Sequence, residues 1–218
     1  MEEKKVMQVL SDVFRDDPHR KDWQFMSRDE SEDETIMRRV VRDAREMQLK
    51  YRACGQTTLL PLVQHLHLGS KEVVLAATTL TGGFGGDEIC GALVGGITAL
   101  GLEFGREDFS DTGAPRMKGQ SKFTYAQARS TELRLRFKHL VGGSHTCRDI
   151  QISHFGQKLN PTDRSKPEVL HRLQSGELFS MWSTFAVEMV GVAAALTCEI
   201  ILRERRKRGI ITPLMPIR

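Results

Sequence analysis

Apolar residues recur at helical spacing along most of the chain, and no stretch shows the period of two that marks a half-buried strand. Between Glu2 and Phe14, Val6, Val9, Leu10 and Val13 share one stripe. A polar stretch follows, carrying Trp23, Phe25 and Met26 and ending in Asp29, Glu30, Glu32, Asp33 and Glu34. It reads as a solvated loop entering a helix whose first turn is negative, as the helix dipole favours. Ile36, Met37, Val40, Val41, Ala44 and Met47 predict a long helix capped near Ser31. It runs past Tyr51 and Cys54, is loosened by Gly55 and Pro61, resumes through Leu66 and takes Gly69 as its C-cap. Ser70 caps a shorter helix to about Leu80. After the glycine-rich turn Gly82-Gly83-Phe84-Gly85-Gly86-Asp87, Ile89 to Phe104 is apolar on nearly every side, which predicts a buried central helix. Gly91, Gly95, Gly101 and Gly105 are expected to let other helices approach it closely. A polar loop over 106–121 leads to an amphipathic helix from Phe123 to Leu140. Gly142-Gly143-Ser144 and Cys147 come next, followed by a second loop over roughly 151–165. Pro167 opens the last helix, which reaches about Arg208 and is most apolar between Leu178 and Leu202.

The predicted fold class is all-α, a compact multi-helix bundle around a buried glycine-rich central helix. Residues 1–34 read as an N-terminal extension, 35–209 as the helical domain and 210–218 as a tail. Leu178–Leu202 reaches the length of about 20 residues needed to cross a bilayer. Glu188 and Glu199, however, fall on one helical face and cost several kcal/mol in lipid. An amphipathic core helix is expected, with no membrane contact. The basic run Arg203, Arg205, Arg206, Lys207 and Arg208 reads as a solvated helix end matched to the dipole.

Composition narrows the class without giving a function. The 218 residues are 39% apolar, with 19 glycines and 28% charged residues, which excludes a disordered chain, a collagen-like fibre and a polytopic membrane protein. A net charge of +4 is too small to argue for a specific nucleic-acid partner. The start MEEKKVMQVL has no apolar signal region, so a cytoplasmic location with reduced thiols is expected.

The four cysteines, Cys54, Cys90, Cys147 and Cys198, are widely separated, and the sequence contains no C-x-x-C. A zinc knuckle, a thioredoxin-type pair and a haem c attachment are therefore not expected. The glycine turn lacks the lysine of a P-loop and the third glycine of a dinucleotide fingerprint. Ser144-His145 has no nucleophile-elbow context, and His65 and His67, two apart, cannot share a helix face. With Asp87 as N-cap, Cys90 falls in the first turn of the central helix, and Ser144 places Cys147 in the same way. Unpaired N–H groups and the positive dipole end there stabilise a thiolate or an anionic cluster. Cys54 adjoins the helix loosened by glycine and proline. Cys198 lies on an apolar stripe between Ala194 and Leu202, where a buried inert thiol is an equally good reading.

These residues resemble the C-GCAxxG-C-C family of redox-active proteins over about residues 36–202. Tyr51-Arg52-Ala53-Cys54-Gly55-Gln56 looks like its aromatic-x-x-Cys-x-Gln element. The glycine turn followed by Cys90-Gly91-Ala92-Leu93-Val94-Gly95 matches its C-G-A-x-x-G signature. Gly101-Leu102-Glu103-Phe104-Gly105 and His145-Thr146-Cys147-Arg148-Asp149 resemble its later elements. The family is helical and similar to the iron–sulfur-binding part of split-Soret cytochromes. The resemblance implies a cluster held by Cys54, Cys90 and Cys147. The family's fourth cysteine is expected near Met181–Thr184, where this chain has none, so Cys198 takes its place after a shift, His145 completes the set, or the cluster is degenerate. The expected function is electron transfer or redox sensing through this metal-binding site, with an unidentified redox partner protein. A metal-free thiol/disulfide protein and a non-catalytic helical scaffold, each open to forming a homo-oligomer through the glycine-lined helices, are the alternatives.

Overall fold

The computed structural model describes residues 30–86, 88–107, 121–158, 167, 171 and 177–214. The predicted N-terminal helix, Trp23, Phe25, Met26, Asp87, most of the 106–121 loop and the start of the predicted 167–208 helix lie outside that set. Among the described residues the elements are helical, and the β pairing is confined to one isolated antiparallel bridge between Ile89 and Thr146. The chain is all-α, as its periodicity predicts.

Helix α1 spans Glu30–Tyr51 and α2 spans Cys54–Leu66. A short α3, Lys71–Ala76, continues into a 3₁₀ turn, Ala77–Leu80. The one-turn α4, Gly82–Gly86, precedes α5, Gly91–Phe104. Helices α6 (Lys122–Leu140), α7 (Cys147–Phe155) and α8 (Glu177–Lys207) complete the order. Helix α8 packs along α1 and also against α2, α5 and α6, while α5 sits between α2, α6 and α8. The core is one continuous cluster, with Leu59, Leu62, Leu93, Leu100, Leu133, Phe137, Leu196, Ile200 and Ile201 almost wholly out of solvent.

Several expectations change. The predicted long helix breaks at Arg52 and Ala53, where Arg52 takes the left-handed region at φ 57°. The break lets α2 fold back on α1, and Thr57 Oγ1 then donates to Gln48 Oε1 at 2.6 Å. Pro61 lies inside α2 without ending it, and the left-handed C-cap is His67 rather than Gly69. Ser31 is already helical, and residues 151–155, predicted as loop, form the end of α7.

The glycines of α5 divide by what they face. A Cβ at Gly91 or Gly95 would strike Leu80 O at 2.1 Å or Gly55 O at 2.5 Å, so both permit the close approach predicted for them. Gly96 does the same against Thr197 of α8. Gly101 faces open space, and Gly105 meets only the backbone of its own helix, so these two mediate no helix contact.

Helix α8 is the one described helix long and apolar enough to cross a membrane, and its apolar stretch is buried among the other helices. It is not amphipathic: every residue from Met189 to Leu202 is buried, including Glu199. Burying that carboxylate is offset by Arg136, which it contacts closely, and by Arg203 at 3.0 Å. The basic run is only partly solvated: Arg203 and Arg205 are largely buried, whereas Lys207 and Arg208 stay exposed. Arg205 and Arg208 reach Glu103, Arg206 pairs with Asp33 of α1, and Arg203 and Lys207 both reach Glu204.

Candidate functional site

The structure brings Cys54, Cys90 and Cys147 to one place, and each stands at a helix start. Cys54 is the first residue of α2, Cys90 is the N-cap of α5 and Cys147 is the first residue of α7. The caps differ from the sequence expectation by a few residues. Helix α5 begins at Gly91, so Cys90 precedes the first turn instead of lying inside it. Thr146, not Ser144, caps α7, its hydroxyl accepting from the Asp149 N–H at 3.2 Å. Ser144 supports that cap, accepting from Thr146 N–H at 3.2 Å and donating to Asp149 Oδ2 at 3.1 Å.

Three backbone features hold the thiols together. The first is the Ile89–Thr146 bridge, flanked by Cys90 N–H to His145 O at 2.9 Å and Cys147 N–H to Glu88 O at 2.7 Å. This is the non-hydrogen-bonded register, in which side chains lie close. Alternation turns Cys90 and Cys147 to the side opposite Ile89, matching their burial and its exposure.

The second feature is the glycine turn. Gly82, Gly83 and Phe84 take φ values of 65°, 64° and 55°, so α4 opens as a left-handed turn, which costs a side-chain-bearing residue roughly 1–2 kcal/mol. Its Gly82 N–H donates to Cys54 Sγ at 3.3 Å. A Cβ on Gly83 would stand 2.8 Å from Cys147 Cβ, so only glycine lets this turn lie against both cysteines. The third is Gly91, where a Cβ would come within 2.5 Å of Cys54 Sγ, which brings the start of α2 against the start of α5.

All three thiols are buried, and burial decides their protonation. It pushes the Cys54 thiol above its ordinary value, against the pull of backbone N–H groups of Gly82, Gly55, Cys54 and Ala92. Cys90 is also raised, first by burial and then by the charges that Cys54 and Cys147 would carry, with the N–H groups of Leu93 and Ala92 opposing. Gln151, fully buried one helical turn past Cys147, donates from Nε2 to Cys147 Sγ at 3.1 Å.

Cys198 lies elsewhere. It is fully buried in the middle of α8, and the charges that act on it are those of Glu199, which with burial raises its thiol pKa, and Arg205, which lowers it. His145 is half-buried and meets Cys90 through its backbone carbonyl. Among the described residues, no group of three or more His, Cys, Asp or Glu side chains is arranged to hold a metal ion. His65 pairs instead with Asp43 at 2.6 Å.

Sequence reasoning missed Gln151, although Cys147-x-x-x-Gln151 is the i,i+4 spacing that puts two side chains on one helix face. It also missed the job of Gln56, whose Nε2 donates to Val74 O at 3.1 Å and Thr78 Oγ1 at 2.9 Å. Those bonds tie α2 to the segment that leads into the glycine turn.

The architecture is an all-α bundle with three buried cysteines gathered at three helix starts. The family model described as "Putative redox-active protein (C_GCAxxG_C_C)" matches residues 52–200, and the chain belongs to that family. The matched span contains all four cysteines. No curated protein and no solved structure matches the chain.

Proposed function

We propose that Cys54, Cys90 and Cys147 hold an iron–sulfur cluster and that the protein serves electron transfer or redox sensing. The observation that carries this reading is the convergence of three thiols from three helix starts, with Gly82 N–H donating to Cys54 Sγ and Gln151 Nε2 to Cys147 Sγ. Such a donor set suits an anionic cluster: thiolates are the usual ligands, and N–H groups and helix dipoles offset the negative charge. Membership of a redox-active family supports the same reading.

Burial separates this proposal from free-thiol chemistry. A thiol attacks a disulfide as its thiolate, and Cys54 and Cys90 are pushed toward the protonated form. Metal coordination removes that obstacle, because a coordinating thiol is deprotonated outright. Bound here, a cluster would supply a one-electron couple. The chain would supply three buried sulfur ligands, with the Gly82 N–H beside Cys54.

Serine at Cys54, Cys90 or Cys147 is expected to abolish bound iron and visible absorbance after anaerobic reconstitution. Retention of parental iron by all three variants would overturn the proposal.

A further inference from the structure

Gln151 is the polar side chain bonded to a site thiol from inside the core. It is 0% exposed, yet its amide nitrogen donates to Cys147 Sγ at 3.1 Å. Burying an amide is costly unless it is hydrogen-bonded, so an apolar residue would serve this core position as well if packing were its only role. Its place is set by two local features. The Thr146 cap fixes the start of α7, and the i,i+4 spacing then stacks Gln151 over Cys147. Gly82 N–H, which donates to Cys54 Sγ, belongs to the backbone, whereas Gln151 is a described side-chain donor that a substitution can remove without moving the main chain.

We propose that Gln151 is a positioning and tuning residue, whose N–H holds the Cys147 sulfur and raises the reduction potential of the group that sulfur ligates. This rests on the cluster reading above. Reduction adds negative charge shared by the ligand sulfurs, and a donor aimed at one of them stabilises the reduced form more than the oxidised form. Hydrogen bonds to sulfur are among the features that set the potential of such centres, and removing an outer-shell partner of a ligand commonly costs tenfold or more in metal affinity or activity, the scale taken here for the reduction equilibrium.

The test is a redox titration of the reconstituted full-length protein, followed by electron paramagnetic resonance, with Gln151→Met and Gln151→Glu beside the parent. Methionine keeps the volume and removes the donor. The expected result is a reduction equilibrium about tenfold less favourable, or about 59 mV lower for a one-electron couple. Glutamate, which accepts where glutamine donates, should shift it further in the same direction. Variants that lose stability to urea but keep the parental potential would show Gln151 to be structural and overturn the inference. Met and Glu variants within twofold of the parent would do the same. A parent that takes up no iron overturns the cluster reading itself, and this role with it.

Discussion

Replacing Gly91 with alanine tests whether the starts of α2 and α5 meet as described. The new Cβ would lie 2.1 Å from Leu80 O and 2.5 Å from Cys54 Sγ. Both are far inside van der Waals contact, and one obstacle is backbone. Either the 3₁₀ turn ending at Leu80 or the α2 start must retreat by about 1 Å, the kind of overpacking that costs roughly 1–3 kcal/mol. Gly91 is the first residue of α5, so alanine's better helix propensity returns little of that. Gly101 on the same helix is the control. It is exposed, nothing lies within 4 Å of its missing Cβ, and alanine there should stabilise by up to about 1 kcal/mol. Urea unfolding followed by far-ultraviolet circular dichroism would measure both, with iron uptake as a second readout. Gly91→Ala should unfold at lower urea and take up less iron, while Gly101→Ala should unfold at equal or higher urea with parental iron. A Gly91→Ala protein as stable and as iron-competent as the parent would refute the placement of Cys54 against α5.

Two further predictions concern the charged core. Glu199→Gln removes the most buried acid from a cluster in which Arg136 keeps Glu132 and Arg203 keeps Glu132 and Glu204, and should cost about 2 kcal/mol through the weakened charge-assisted bonds; a loss under about 0.5 kcal/mol in urea would contradict it. Glu204 is raised by burial, but the Tyr125 hydroxyl, Lys207 and Arg129 together outweigh this and lower it to about 2 from an ordinary 4.5. A depressed acid stabilises the fold above its unfolded value, so this contribution should be complete above pH 4.5 and disappear as pH falls toward 2. The stability difference between parent and Glu204→Gln should narrow over that window, and a constant gap would contradict the assignment.

Periodicity revealed the helices because each buries an apolar stripe at the spacing of its own turns. It could not reveal the break at Arg52, where no glycine or proline stands and tertiary packing of α2 on α1 imposes a left-handed residue. The end of α7 was hidden because Gln151, buried on its inner side, looks like a loop residue until its sulfur partner is placed. Cys54, Cys90 and Cys147 were legible as a group through their glycine and hydroxyl neighbours and the family motif. The cap assigned to Ser144 was misplaced, although Thr146-x-x-Asp149 carries the better capping pattern. The basic run misled for a different reason: its acidic partners, Glu103, Asp33 and Glu132, are distant in sequence and meet it only after folding.

The central claim is that three of the four cysteines form one cluster site. Anaerobic purification and reconstitution of the parent beside four single cysteine-to-serine variants, with iron and sulfide assays and an absorption spectrum, tests it most directly. The account predicts a coloured parent with bound iron and sulfide, loss of both at Cys54, Cys90 and Cys147, and retention at Cys198. A parent that stays colourless after reconstitution, or cluster loss at Cys198 alone, would contradict it.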